Sequence, residues 1–386
     1  MSKTRHFVLA AGGTGGHMVP AAALAAELIA RGHSVALVSD ARGVRFPGLF
    51  DGIETHIVPA GRLSGGPIGW VRAGSAMLAG RGMTIKLFKA QRPAAVIGFG
   101  GYPALPALLG AFALGIPTAV HEQNAVLGRV NRLVAGKVSA IATSYPDVER
   151  LAPKHRAKTH LVGNPVREAV RLLRERPYPL LEEDGIFRVL VTGGSQGASV
   201  LSDVVPDGLA LLPISFRRRL QVTHQARIED IDAARAKYAD LSIAADLATY
   251  LPDMPEQLAW AHIVIARAGA STLAELTCAG RPAILVPLPI ATDDHQTANA
   301  REMTQAGGAR TIQQRNFTPI ELAKQMQKLG LDPAALENAA GRARSCGRPE
   351  AVRDLADLVE SLDAPHAPNL VGAARRVKFG DQAAYA

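Results

Sequence analysis

The sequence has few aromatic residues and few cysteines, and each scarcity excludes a class of function. Aromatic residues make up 5% of the 386 positions, too few for the stacking platforms that bind single-stranded nucleic acid. The two cysteines, Cys278 and Cys346, provide neither a disulfide framework nor a metal-binding spacing. The first residues lack the apolar core of a signal peptide. We therefore expect a cytoplasmic protein that does not bind nucleic acid.

Charge is missing altogether from residues 93–120, a stretch long enough to cross a membrane. Three prolines and five glycines interrupt it, so it cannot form one continuous helix. It is better interpreted as a strand over 94–97, a glycine turn, a helix near 105–114 and a strand over 118–120. The chain as a whole has a net charge of +9, which favours an anionic partner such as a phosphorylated ligand or a membrane surface.

A glycine-rich motif, GGTGGH, occurs early in the chain at residues 12–17. It follows an apolar run over 7–11 and precedes a helix-forming run over 19–30. A strand, a glycine turn and a helix aim backbone N–H groups at one point, where an anion can bind. Met18 replaces the third glycine of a dinucleotide fingerprint, and the P-loop lysine is missing. The motif predicts a phosphate cradle of another kind, although a simple tight turn has the same composition.

The same pattern returns in the second half of the chain. A strand over 187–191 leads into GGSQG at 193–197 and a helix that starts at Ala198. Strands that alternate with helices predict parallel sheets, which bind ligands at the carboxyl ends of their strands. The length suits two domains. We predict an α/β protein with two Rossmann-like, doubly wound parallel-sheet domains that face each other across a cleft.

Residues 61–92 combine apolar and basic side chains and contain no acidic residue. This composition is typical of a segment that lies on an anionic membrane. The alternative is an ordinary amphipathic helix that covers the sheet and exposes a solvated basic face.

Polar residues that could take part in chemistry follow several strands. HEQN at 121–124 offers a base, an acid and two amides, or else a polar strand end that satisfies loop backbone. After a strand over 263–266, Glu275 is placed in the first turn of a helix that starts at Thr272. It either accepts the hydroxyls of a ribose or forms a capping box with Thr272. Asp293, Asp294 and His295 fit a solvated loop better than a metal site.

Six motifs occur together in the order and spacing of one enzyme family. They are GGTGGH, HEQN, GNPVR at 163–167, GGSQGA at 193–198, RAGASTLAE at 267–275 and DHQTANA at 294–300. From about residue 5 to about residue 362 the chain resembles the MurG family of GT-B glycosyltransferases. The resemblance implies transfer of N-acetylglucosamine from UDP-N-acetylglucosamine to undecaprenyl-pyrophosphoryl-N-acetylmuramyl-pentapeptide, lipid I, which yields lipid II of peptidoglycan. The family often has two glutamines where this chain has His295 and Gln296.

The resemblance also implies roles for individual residues. The donor would contact Thr14, Gly15, Gly16, Asn124, Arg167, Ser195, Leu251, Ala270, Ser271, Thr272, Leu273, Ala274, Glu275 and Gln296. The acceptor would contact Gly12, Gly13, His17 and Tyr102. The membrane would contact Arg72, Arg81, Lys86 and Lys89. No metal or other cofactor is expected, and further partners would be anionic lipids and other cell-wall enzymes at the cytoplasmic face of the inner membrane.

The expected mechanism is a metal-free, inverting displacement by an acceptor hydroxyl. His17 is the first candidate for the base, because an imidazole titrates near neutral pH, and Glu122 is the second. Residues 1–166, completed by a helix over 347–363, would form the acceptor and membrane domain. Residues 167–346 would form the donor domain, and 364–386 a basic tail. The alternatives are another UDP-sugar-dependent lipid glycosyltransferase, a UDP-N-acetylglucosamine epimerase, and a non-catalytic membrane scaffold that senses the nucleotide sugar.

Overall fold

The structure is a computed structural model that describes residues 4–43, 48–61, 66–182, 184–194, 197–330 and 332–362. Ser195 and the predicted basic tail lie outside these residues, so the expectations placed on them stay predictions.

The first domain is built on a parallel sheet with the strand order β3-β2-β1-β4-β5-β6-β7. Short apolar runs bounded by glycine and proline form its central strands, which are buried on both faces. The strands are β1 His6–Ala10, β2 Ser34–Ser39, β3 Glu54–Ile57, β4 Ala95–Gly98, β5 Thr118–Glu122, β6 Ala140–Thr143 and β7 Thr159–Leu161. The helices are α1 Gly15–Ala30, α2 Gly66–Ala90, α3 Leu105–Ala113 and α4 Arg129–Val134.

The second domain repeats this plan with the strand order β10-β9-β8-β11-β12-β13, again all parallel. Its strands are β8 Phe187–Thr192, β9 Leu220–Gln225, β10 Ala244–Ala248, β11 Ile263–Ala266, β12 Ala283–Leu285 and β13 Ala309–Thr311. The helices are α5 Glu168–Leu172, α6 Ser199–Ala210, α7 Ile214–Arg217, α8 Ile231–Asp240, α9 Met254–Trp260, α10 Ala270–Ala279, α11 His295–Ala306, α12 Pro319–Gly330 and α13 Pro333–Ser345. A last helix, α14 Ala351–Ser361, follows them in sequence. The predicted α/β class with two doubly wound sheets is confirmed.

Each sheet has a point at which the strand order changes direction, and ligands bind at such points in doubly wound folds. In the first domain it lies between β1 and β4, and in the second between β8 and β11. The glycine motif at 12–17 follows β1, and RAGAS at 267–271 follows β11. Helices α1 and α10, which begin in these two motifs, approach each other across the domain boundary. The fold therefore brings the two predicted ligand loops together.

The last helix, α14, packs on the first domain although it follows the second in sequence. Its Leu355, Ala356 and Val359 are buried in the same apolar cluster as residues of β1 and α1. The side chain of Glu360 accepts hydrogen bonds from Arg31 at 2.8 Å and from His33 at 2.7 Å. This contact anchors the end of the described chain to the first sheet.

Three predicted element boundaries are wrong by a few residues. Helix α1 begins at Gly15 rather than at residue 19, and β5 continues through Glu122 rather than ending at residue 120. Helix α10 begins at Ala270, with Gly269 as its N-cap, rather than at Thr272. Glu275 is therefore in the second turn, and the capping box with Thr272 is excluded.

Residues 66–90 form the helix α2, which has one buried face and one exposed apolar face. Ala73, Thr84 and Phe88 are buried, and the Thr84 hydroxyl donates a hydrogen bond to the Pro106 carbonyl oxygen at 3.0 Å. Trp70 is 62% exposed and Leu78 67% exposed, which an ordinary sheet-covering helix does not require. Within the described residues, no helix combines the length and apolar character needed to cross a bilayer.

Candidate active site

The first glycine motif forms a tight loop against a second loop of the same domain. A Cβ atom at Gly12 would lie 2.6 Å from the Cβ of Pro103, so only glycine allows the two loops to approach this closely. Gly13 has a φ of +89°, a conformation that side-chain-bearing residues rarely adopt. Thr14 is the N-cap of α1, and Gly15 and Gly16 are its first two residues. The motif therefore ends in a helix N-terminus, where backbone N–H groups favour an anion.

His17 lies in the first turn of α1 and is held by the loop that precedes it. Its Nδ1 is 3.2 Å from the Gly12 carbonyl oxygen, which can only accept, so Nδ1 carries the proton and Nε2 keeps a lone pair. A Cβ atom at Gly101 would come within 3.4 Å of the ring. Burial lowers the pKa of His17, the Gly12 hydrogen bond opposes this, and nearby His295 lowers it further. The imidazole is therefore neutral at neutral pH and can accept a proton at Nε2.

His121 and Glu122 lie inside β5 instead of following it, and both are fully engaged. His121 Nε2 donates to the Gly163 carbonyl oxygen at 2.9 Å, and burial lowers the pKa of His121 to about 4. The Glu122 carboxylate accepts hydrogen bonds from the Gly128 N–H at 2.7 Å and from Asn131 Nδ2 at 2.8 Å. It also accepts from the backbone N–H and from the side-chain Nδ2 of Asn124.

These bonds argue against Glu122 as the alternative base. Burial raises the pKa of Glu122 above its ordinary value, and the four N–H donors oppose this only in part. Because those donors already fill its acceptor positions, no position is left for a substrate proton. Glu122 instead fixes the loop from Asn124 to Asn131, and the prediction of a catalytic Glu122 does not fit its surroundings.

Asn124 reaches the second domain through Asn299, a residue that the sequence did not single out as a site residue. Asn299 Nδ2 donates to Asn124 Oδ1 at 3.1 Å, and Asn299 Oδ1 accepts from the Ala125 N–H at 2.8 Å. Asn299 is 1% exposed. The predicted donor contact Asn124 is thus held at the domain boundary by an amide pair, and the run of polar residues in DHQTANA was the only signal for it.

Arg167, which directly precedes α5, and Glu275 of α10 form an ion pair. Arg167 Nη2 lies 2.9 Å from Glu275 Oε1. Burial raises the pKa of Glu275, and Arg167 lowers it. The buried Nε of Arg167 and Oγ of Ser271 have no hydrogen-bond partner among the described residues. A charged pair beside two unsatisfied polar atoms is what a polar ligand would complete.

The remaining predicted donor contacts on α10 differ in how deeply their side chains are buried. Ala270 and Leu273 are buried, Leu273 in the apolar core of the domain, and both also line a small cavity between the two domains. Ser271, Thr272, Ala274 and Glu275 are half-buried. Leu251, which follows β10, is buried against the same core. Because the Leu251 side chain is buried, its backbone is the part of this residue available to a nucleotide.

His295 and Gln296 open α11 with fixed orientations. His295 Nδ1 lies 2.7 Å from the Thr292 carbonyl oxygen and donates to it, and Gln296 Oε1 accepts from the Leu288 N–H at 3.0 Å. The ring Nε2 of His295 and the amide NH₂ of Gln296 remain for other contacts. Asp293 binds two arginines and Asp294 bonds to Thr297, so the two aspartates and His295 do not converge on a common point.

Two further groups of predicted residues lie on the first domain. Tyr102 begins the short turn Tyr102–Ala104 beside the glycine motif and packs partly against the core. The membrane candidates all belong to α2, where Arg72, Lys86 and Lys89 are exposed and Arg81 is half-buried.

Comparison with known proteins identifies two domain models. The glycosyltransferase family 28 N-terminal domain matches residues 7–143, and the glycosyltransferase family 28 C-terminal domain matches residues 188–359. Together they cover most of the chain.

Curated relatives are similar over nearly the whole length. The "UDP-N-acetylglucosamine--N-acetylmuramyl-(pentapeptide) pyrophosphoryl-undecaprenol N-acetylglucosamine transferase" of Zymomonas mobilis is 61% identical over 94% of each chain. The protein of the same name from Rhodospirillum centenum is 50% identical over 91% of this chain and 93% of its own.

Solved structures agree in fold. Acinetobacter baumannii MurG superposes with a TM-score of 0.75 at 30% identity, covering 92% of this chain and 99% of its own. A UDP-N-acetylglucosamine 2-epimerase superposes with a TM-score of 0.65 at 14% identity, covering 96% and 99%. The second match shows a shared fold alone, so architecture does not separate a transferase from an epimerase.

Proposed function

The chain belongs to glycosyltransferase family 28, and from this premise we propose that it transfers N-acetylglucosamine from UDP-N-acetylglucosamine to an N-acetylmuramyl-(pentapeptide) pyrophosphoryl-undecaprenol. The product is lipid II of peptidoglycan. One geometric observation carries the proposal: α1 and α10, each starting in a ligand loop of its own domain, meet at the cleft. Two substrates can thus bind on opposite domains with their reacting atoms between them.

The donor nucleotide occupies the second domain. Glu275 accepts hydrogen bonds from the ribose hydroxyls while Arg167 holds the carboxylate and adds positive charge near the departing diphosphate. Ser271 uses its unsatisfied hydroxyl on the nucleotide. Gln296 donates from its free NH₂ group to the sugar, because its oxygen is already bound to the Leu288 N–H.

The acceptor pyrophosphate lies at the first glycine motif, where Gly12, Gly13 and the N-terminus of α1 favour an anion. An acceptor hydroxyl attacks the anomeric carbon, its oxygen forms the new glycosidic bond, and the bond to UDP breaks with the electron pair leaving on UDP. The hydroxyl proton passes to Nε2 of His17, the nitrogen that the Gly12 hydrogen bond leaves free. A single displacement of this kind inverts the anomeric configuration, and in this proposal no metal assists it.

Membrane contact belongs to the exposed side of α2. Trp70, Val71 and Leu78 are more than half exposed there and can enter the headgroup boundary. Arg72, Lys86 and Lys89 on the same helix are exposed and attract anionic lipids. The protein is then peripheral, at the cytoplasmic face of the inner membrane. Residues 1–166 with the helix over 347–363 form the acceptor and membrane half, and 167–346 the donor half.

The test is transfer from radiolabelled UDP-N-acetylglucosamine to a soluble lipid I analogue. Label should move to the acceptor, and UDP should be released only when the acceptor is present. An epimerase would convert the nucleotide sugar without the acceptor, and a scaffold would bind it without turnover. Transfer should persist in excess EDTA, whereas loss that Mg²⁺ restores would contradict the metal-free mechanism.

A further inference from the structure

The turn that precedes α11 contains two consecutive aspartates in the left-handed conformation. Asp293 has a φ of 57° and Asp294 a φ of 51°. Side-chain-bearing residues rarely adopt this conformation, although Asp and Asn tolerate it better than most. The turn is followed at once by His295 and Gln296, the residues at the sugar end of the proposed donor site. The position of this turn therefore determines where the side chains of His295 and Gln296 leave the backbone.

Asp293 is held by the other domain. Its Oδ2 lies 2.8 Å from Nη2 of Arg132 in α4, and its Oδ1 lies 2.8 Å from Nη1 of Arg150. Each carboxylate oxygen thus has its own guanidinium. The Asp293 side chain is 17% exposed and that of Arg132 27% exposed, so this bond is partly shielded from water, whereas Arg150 is 49% exposed and its bond is more open to solvent. We call these three residues the Asp293 clamp.

The hydrogen bonds of the loop transmit this position to the donor site. His295 Nδ1 donates to the Thr292 carbonyl oxygen, one residue before Asp293, and Gln296 Oε1 accepts from the Leu288 N–H in the same loop. Both side chains are therefore fixed to the segment that the clamp holds. If Asp293 lost its two arginine partners, the free NH₂ of Gln296 and Nε2 of His295 would no longer be held in fixed positions relative to the first domain.

We propose that Asp293 is a positioning residue for the donor sugar, and that Arg132 and Arg150 of the acceptor domain set its place without touching the donor. The inference rests on the proposed function, because it assigns the sugar of UDP-N-acetylglucosamine to the start of α11. It predicts that the clamp affects binding of the sugar and leaves binding of the UDP part unchanged.

The test compares Asp293→Asn with two controls. Asn tolerates the left-handed conformation, so the variant removes the charge while the turn is kept. Asp294→Asn makes the same change at the neighbouring left-handed residue. Glu149→Gln breaks a different ion pair between the domains, at 2.9 Å, whose arginine, Arg301, lies further along α11 and not on the turn.

Affinities for UDP and for UDP-N-acetylglucosamine are measured by calorimetry on the full chain. Loss of hydrogen bonds to a charged, partly shielded group should weaken UDP-N-acetylglucosamine binding by about tenfold in Asp293→Asn. UDP affinity should stay within about twofold, as should both affinities in the two controls. The donor KM should rise more than kcat falls. Adding Arg132→Gln to Asp293→Asn should cause less further loss than Arg132→Gln alone.

Equal weakening of UDP and UDP-N-acetylglucosamine, or an unchanged affinity for both, would overturn the inference. The same loss in Glu149→Gln would also overturn it, since docking of the domains would then explain the effect. Failure of the proposed function is a separate result: the unaltered chain would then not bind UDP-N-acetylglucosamine and would transfer no sugar.

Discussion

Replacing Glu275 by glutamine tests the donor site while removing a single charge. The variant keeps the size of the side chain and loses the carboxylate that faces Arg167 at 2.9 Å. A hydrogen bond to a charged group contributes about 1.5 to 3 kcal/mol, so UDP binding should weaken by about 10- to 150-fold. The ion pair itself is partly exposed, at 15% and 38% for the two side chains, and contributes less than about 1 kcal/mol to folding.

The assay is calorimetric titration with UDP beside a thermal unfolding curve. Glu27→Gln is the matched control, because Glu27 also pairs with an arginine, Arg31 at 2.8 Å, and lies in the C-terminal half of α1, in the other domain. Glu275→Gln should lose UDP affinity with little change in Tm, and Glu27→Gln should keep its UDP affinity. Unchanged UDP affinity in Glu275→Gln would refute the ribose assignment and leave the Arg167 pair with a purely structural role.

Three other predictions concern the first domain. Changing the basic residues of α2 to glutamate should abolish binding to anionic vesicles and spare turnover of a soluble acceptor. The residues changed are Arg72, Arg81, Lys86 and Lys89. If the variant still sediments with vesicles, the membrane contact lies elsewhere. Gly12→Ala should raise the acceptor KM, because its Cβ would meet Pro103 at 2.6 Å; an unchanged KM would separate this loop from acceptor binding. Burial raises the pKa of Glu360, but bonds from His33 and Arg31 outweigh it and the pKa is lowered. The stability it contributes is thus present above the unfolded pKa and lost as pH falls through the lowered folded pKa. Glu360→Gln should therefore flatten the acid limb of unfolding free energy against pH, and an unaltered limb would contradict the assignment.

The sequence predicted the strands well because their signals are local. The buried runs before Gly12 and before Arg267 end in glycine loops, and both were placed within a residue or two of the observed strands. The start of α10 was wrong because its N-cap, Gly269, carries no side chain to mark it. That error placed Glu275 one turn too early.

The parts of the site that the sequence missed depend on contacts between distant residues. Glu122 was predicted as the second candidate for the base, yet Asn131, nine residues later, folds back and donates to its carboxylate. Asn299 acts through Asn124, which lies in the other domain. Asp293 looked like a solvated loop residue, and its two arginines come from α4 and from the loop after β6. No local pattern marks such partners, because they are brought together only when the domains pack.

Assignment of the base is the central claim of the mechanism, and the pH dependence of kcat for His17→Ala and Glu122→Gln tests it most directly. Removing a general base costs about 10² to 10⁴ in rate. Since burial lowers the pKa of His17, the unaltered enzyme should lose activity only as pH falls below the ordinary histidine value of 6.5. His17→Ala should lower kcat by a factor of about 10² to 10⁴ and keep its UDP affinity. The acid limb, which is the loss of activity at low pH, should be absent from its pH profile. Glu122→Gln should keep the limb. If Glu122→Gln abolishes the limb and His17→Ala raises only the acceptor KM, the assignment is wrong.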